Sequence, residues 1–355
     1  MGHRLTRYKE SMEKQGFNLN NLSKYRDEIM GFAIIWIMLF HSSFGDAVYF
    51  SGMRVIWRLG RFIELGNTGC DTFMFVSGIG LFYSFSKSIE SNTLDLKAFY
   101  IKRLKRLFIP VWIIWGPYWA YLLTQSRLTS FQFILNMTEL RFWIDGTTNT
   151  WFISAMILCY ILFPGIYKII HGSEKHRFIK TAAMMATIVA LLLIFEAKDP
   201  DTYYRYEIAL TRIPAFIFGC YAGYYVKKET RISVYWFIPA LAFFFGGFEL
   251  LFRRMIPGGS TDRLYQSVEG LDTALILSAF FSWKPIALMR KPFAFMGKIS
   301  LECYLAHLVL AHLYQKNLFF YSFVSGSQIR FIGVLVVATI LAYLVSLIDK
   351  KLFNL

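Results

Sequence analysis

Charge is what this chain has least of. Of its 355 residues only 17% are Asp, Glu, Lys or Arg, while 56% are hydrophobic and 19% aromatic. A water-soluble domain of that length has more surface than so few ions cover, which excludes an ordinary globular enzyme. Apolar runs recur from residue 29 almost to the C-terminus. In lipid every backbone polar group must find its partner inside the protein, and helices do this segment by segment. The expected class is therefore an all-α polytopic membrane protein.

Cysteine is scarce too. Cys70, Cys159, Cys220 and Cys303 stand singly in or beside apolar runs, without the paired spacing of a zinc site or a disulfide framework, and read as small core residues. No His is followed by Glu in the HExxH manner of a zinc intramembrane protease, and no metal is expected. A phosphate-cradling Gly-rich loop is lacking. So is an internal repeat: the basic stretch FYIKRLKRLFIP has no counterpart in the second half, which counts against an inverted-repeat transporter. Residues 1–27 contain no apolar stretch followed by a small-residue cleavage site, so the first span is expected to direct insertion.

What is present divides into about ten apolar spans, roughly 28–46, 69–86, 106–125, 149–170, 178–196, 207–226, 234–252, 267–283, 299–319 and 329–350. The eighth is the least apolar, with Glu269 and Asp272 in its first turns. Roughly two-thirds of the 38 Lys and Arg fall on one side of these spans, which places both termini in the cytoplasm. The net charge of +15 is then topological bias and attraction to anionic headgroups, and no nucleic-acid partner is expected. The organisation is a cytoplasmic segment, 1–27, followed by one membrane-embedded bundle, 28–355.

Several polar residues interrupt these runs. EIMGFAIIWIMLFHSSF carries no charge after Glu28 and then presents His41. Counted from Asp27 at about 1.5 Å per residue, His41 lies roughly 21 Å along the helix, past the midplane of a core about 30 Å thick. An imidazole there is either a proton-exchanging functional group or a neutral hydrogen-bond partner between helices. Arg103 and Arg106, with Lys102 and Lys105 beside them, share a helical face and suit a polyanion, but the same residues also serve as an ordinary cytoplasmic anchor. In GKISLECYLAHLVLAHL, Tyr304 and His307 point the same way, whereas Glu302 and His307 diverge by about 140° and are not expected to pair. His312 reads as interfacial. Asp71, at the start of GNTGCDTFMFVSGIGLFYSF, reads as a helix cap before a catalytic acid. Arg212 either snorkels toward the outer surface or binds an anionic or sugar substrate.

Four of these stretches, in order, resemble the integral-membrane acyltransferase family 3, which includes O-acetyltransferases of bacterial surface polysaccharides. They are KYRDEIMGFAIIWIMLFH, GNTGCDTFMFVSGIGLFYSF, FYIKRLKRLFIPVWI and FMGKISLECYLAHLVL; NTWFISAMILCYILFP and TRIPAFIFGCYAGYYV are similar to the family's middle segments. The resemblance implies a bundle of about ten helices that moves an acyl group, acetyl foremost, from cytosolic acyl-CoA to a saccharide hydroxyl. The acceptor is a polysaccharide, a lipid-linked sugar or a peptidoglycan-type glycan, and the place is the cell membrane. His41 takes the general-base position, with His307 and Glu302 as further catalytic candidates. Arg103, Arg106, Lys102 and Arg26 are expected to hold the donor. Asp71, Trp151, Arg212 and Tyr304 are expected to bind substrate. Many members carry an Arg where this chain has Met30, and Arg26, one turn earlier on the same face, is the expected stand-in. Two other classes fit the composition: a transporter or flippase of a lipid-linked saccharide, and an inactive membrane sensor of the same fold.

Overall fold

The computed structural model describes residues 16–41, 60, 62–172, 174–252, 260–315 and 327–353. Among these, sheet is confined to two short antiparallel strands: β1 (Phe17–Asn18) sets Phe17 opposite Ile232 of β2 (Arg231–Ile232). All other regular structure is helical. In chain order β1 is followed by α1 (Asn21–Lys24), α2 (Arg26–Phe40), α3 (Thr68–Glu90), α4 (Leu96–Ile114), α5 (Gly116–Thr124), α6 (Ser130–Met137) and α7 (Arg141–Asp145). Then come α8 (Trp151–His171), α9 (Arg177–Lys198), α10 (Pro200–Leu210) and α11 (Ile213–Lys227). After β2 follow α12 (Phe237–Phe252), α13 (Ser260–Ser282), α14 (Ala287–Lys298), α15 (Ser300–Gln315) and α16 (Ser327–Phe353).

Local chemistry sets several of these boundaries. Asp95 accepts the Ala98 amide at the start of α4, and Thr129 with Gln132 forms a reciprocal capping box on α6. Asp199 caps α10, with Pro200 where the missing N–H costs nothing.

Among the described residues, three helices are long and apolar enough to cross a membrane unaided: α8, α9 and the Gly333–Lys351 part of α16. The number rises to five if two bent pairs each count as one span: α4 with α5, bent by 47°, and α13 with α14, bent by 88°. The expected third span, 106–125, is thus two helices that meet at Trp115, because the ring of Pro117 disfavours helical continuation through the preceding turn. The expected eighth span, 267–283, ends where the chain turns sharply after Ser282, with Pro285 in the short 3₁₀ turn that follows. The far ends of the expected spans 28–46 and 299–319, and residues 1–15 of the N-terminal segment, lie outside the described residues.

The bundle closes through glycine. A Cβ on Gly78 of α3 would overlap the Phe216 carbonyl of α11, and one on Gly219 would overlap that of Phe75, so these helices touch backbone to backbone. The same holds between α2 and α14, where Gly31 faces the Phe293 carbonyl and Gly297 faces that of Asp27. α9 is apolar yet buries only 11% of its apolar stretch. A helix that greasy with so little protein against it needs lipid as its partner. All four cysteines are buried free thiols, the core role expected of them.

Candidate active site

α2 ends in His41, whose amide closes the last turn on the Ile37 carbonyl. α15 runs beside it and presents His307, 3% exposed. Across 266 positions of sequence the two imidazoles meet: His41 Nδ1 lies 3.0 Å from His307 Nε2, and the rings are tilted by 33°. His307 Nδ1 is in turn 2.9 Å from the Cys303 carbonyl one turn back. Tyr304, on the same face of α15 as its spacing predicts, packs against both His307 and Phe152. Its buried hydroxyl has no hydrogen-bond partner among the described residues.

Tyr304 also lines a cavity of about 370 Å³. Its other walls bring together Arg26 and Met30 of α2 with Lys102, Arg103 and Arg106 of α4. The cations gather there because α2 and α4 begin at the same end of the bundle, and α14 adds Lys298. Arg26 supplies a guanidinium to the wall on which Met30 offers only a thioether. Its contact with Asp27, 3.5 Å with both side chains well exposed, is worth little.

The two arginines of α4 are held differently. Arg103 donates to Ser84 Oγ at 2.8 Å and stacks on Phe99. Arg106 donates to Glu302 Oε1 at 2.6 Å and lies 3.8 Å from Asp349 of α16. Glu302 thus takes an arginine and His307 takes His41, so these two members of α15 work on different partners. Glu302 has no described contact with either imidazole.

Asp71, Trp151 and Arg212 form a separate cluster. Arg212 is 1% exposed, lies 3.5 Å from Asp71, stacks over the Trp151 ring and donates to the Ile208 carbonyl. Ser267 of α13 donates to Asp71 Oδ1 at 2.7 Å. Two expectations are corrected here. Asp71 does not cap α3, because it sits beyond the cap position and its carboxylate is turned into the bundle toward Arg212 and Ser267. Arg212 does not snorkel, because an internal carboxylate gives it a partner that water would otherwise supply. His312, expected at an interface, is part-buried and packs on Trp115.

Sequence reasoning passes over Asp349, Ser84, Ser267 and Lys298. Asp349 had a signal: an acid in the last turns of an apolar helix opposes the helix dipole and needs a compensating cation. Lys298 is the lysine of GKISLE, residues 297–302, and reads as an anchor. Ser84 and Ser267 carry none. The described residues contain no cluster of His, Cys, Asp and Glu able to hold a metal.

No curated protein and no solved structure matches the chain. A family profile described as an acyltransferase domain does, over residues 29–347, a span that takes in the histidine pair, the Asp71–Arg212 cluster and the cavity lining from Met30 onward, and leaves Arg26 just outside. The chain belongs to acyltransferase family 3 and is a membrane acyltransferase.

Proposed function

We propose that this acyltransferase moves an acyl group, acetyl foremost, from cytosolic acyl-CoA to a hydroxyl of a cell-surface or lipid-linked saccharide. The chain then crosses the cell membrane about ten times with both termini in the cytoplasm, so that the basic cavity opens to the cytosol. One observation carries the reading: five cations line a cavity whose wall includes Tyr304, the residue that packs against His307 of the imidazole pair. Guanidinium groups suit phosphate because their planar forks donate two parallel hydrogen bonds. Arg26, Lys102 and Arg103 receive the phosphates of the donor, and Arg106 adds the N–H groups that Glu302 leaves over.

The cavity volume falls near the low end for ligand pockets, about 300–1,000 Å³, and suits a narrow arm better than a whole nucleotide. The phosphates stay at the wet mouth, and the pantetheine arm carries the thioester inward toward Tyr304. His41 takes the proton of the acceptor hydroxyl as its oxygen attacks the thioester carbonyl. The C–S bond breaks, and the departing thiolate takes the proton back from His41.

The test is binding of acetyl-CoA to the detergent-purified protein, followed by release of free CoA when candidate surface glycans are added. His41→Ala is expected to bind the donor and release none while remaining folded. Release by His41→Ala would remove the residue from the chemistry, and failure of the wild type to bind any short acyl-CoA would move a saccharide flippase ahead.

A further inference from the structure

We infer that His307 is a positioning residue that holds His41 in a single tautomer and so makes Nε2 the atom that takes the acceptor's proton. The inference rests on the acyltransfer reading above and adds to it which nitrogen acts and why.

The assignment follows from counting donors. A neutral imidazole has one N–H and one lone pair. His307 Nδ1 faces the Cys303 carbonyl at 2.9 Å, and a carbonyl only accepts, so the His307 proton sits on Nδ1. Its Nε2 is then a lone pair. That lone pair lies 3.0 Å from His41 Nδ1, which must therefore be the N–H. The lone pair of His41 is left at Nε2. The opposite assignment would set the His307 Nδ1 lone pair against the oxygen of Cys303 and lose a hydrogen bond that a buried ring cannot replace from water.

Free imidazole prefers its proton on Nε2, so without His307 the acting nitrogen would mostly be blocked. The relay runs from the Cys303 carbonyl through His307 to His41 and ends at the acceptor hydroxyl. When His41 Nε2 takes the hydroxyl proton, its Nδ1–H bond to His307 becomes charge-assisted and strengthens as the positive charge forms. A carboxylate in the place of His307 would stabilise that charge more, but it would stand as an unpaired ion inside the bundle between turnovers. Glu302, the nearest acid on α15, is occupied by Arg106. A neutral orienter keeps the resting site uncharged.

The discriminating pair is His307→Gln and His307→Asn. The Gln amide reaches the place of Nε2 and still accepts from His41. The Asn amide reaches only the place of Nδ1, keeping the contact with Cys303 and losing the one with His41. Both are polar, which keeps the packing change small and guards against a trivial loss of fold. In protein carrying ¹⁵N-histidine, the wild type and His307→Gln are expected to show His41 protonated at Nδ1, and His307→Asn to show it protonated mainly at Nε2. With acetyl-CoA and an active glycan, His307→Asn should lose kcat by about 10²–10⁴-fold with KM for acetyl-CoA unchanged, and His307→Gln should recover most of it.

A His41 resonance pattern that is the same in all three proteins overturns the inference, whatever the rates. Equal loss of kcat in both variants overturns it as well. The tautomer is read without turnover, so a wild type that transfers no acyl group tells against the proposed function alone.

Discussion

Arg212→Met should cost the fold far more than an arginine usually does. Arg212 Nε and Asp71 Oδ2 lie 3.5 Å apart, and each side chain is 1% exposed. At an effective dielectric constant of about 20, two unit charges at that separation attract by roughly 5 kcal/mol. Burying the pair costs a comparable amount, so its net contribution is small. Removing one partner is different, because the other charge stays buried without its counterion, and such losses run to about 3–5 kcal/mol. Arg212→Met leaves Asp71 with the Ser267 hydroxyl. Asp71→Asn leaves Arg212 with the Ile208 carbonyl and the Trp151 ring. The double variant Asp71→Asn/Arg212→Met removes both charges and should recover most of the loss, a coupling on the order of 3 kcal/mol. The assay is denaturant unfolding in mixed micelles for all four proteins, with acetyl-CoA binding as a check on the basic cavity. If the single variants were as stable as the wild type, and Arg212→Met only raised KM for the glycan, the cluster would be an acceptor site and not a structural ion pair.

Two other expectations are independent of that one. Glu139, in the connection between α6 and α7, is 3% exposed, and burial pushes its carboxyl up from 4.5 to about 8. The folded protein then holds a proton that the unfolded chain gives up between those values, so this contribution to stability is complete below pH 4.5 and is lost as pH rises to about 8. Glu139→Gln keeps an acceptor for Ser154 and should flatten the difference, gaining stability over the wild type at pH 8 and none at pH 4; parallel pH profiles would refute this. Arg103→Ala should weaken acetyl-CoA binding by about tenfold in calorimetry, since it removes one phosphate donor and leaves the Arg106–Glu302 pair in place. An unchanged Kd would return Arg103 to a topological role.

The helical class and the basic end of the bundle are legible in the sequence because they depend on composition and on spacing within one helix. Arg103 and Arg106, or Tyr304 and His307, share a face by three-residue spacing alone. Which helices adjoin is another matter. His41 and His307 are brought together by the backbone contact of α2 with α14 and by the passage of α15 beside α2, and no periodicity encodes that adjacency. Asp71 shows the limit most plainly: an acid four positions after Asn67 looks like a first-turn acid, and only the approach of α11 and α13 reveals Arg212 and Ser267 as its partners. The bend after Ser282 falls where the apolar span 267–283 ends and Pro285 follows, but its 88° angle has no counterpart in hydropathy.

The glycine contact between α2 and α14 has a mechanical consequence. Near its base α2 is clamped where Gly31 and Gly297 let two backbones touch, and at its far end His41 is tied to α15. A rod fixed at two points neither slides nor tilts without breaking one of them, and glycine contacts leave no side chain to act as a bearing. The wall of the cavity formed by α2 is therefore the anvil. The opposite wall, α4, is held by side chains instead, Arg103 on Ser84 and Arg106 on Glu302, contacts that can part and re-form without moving a backbone.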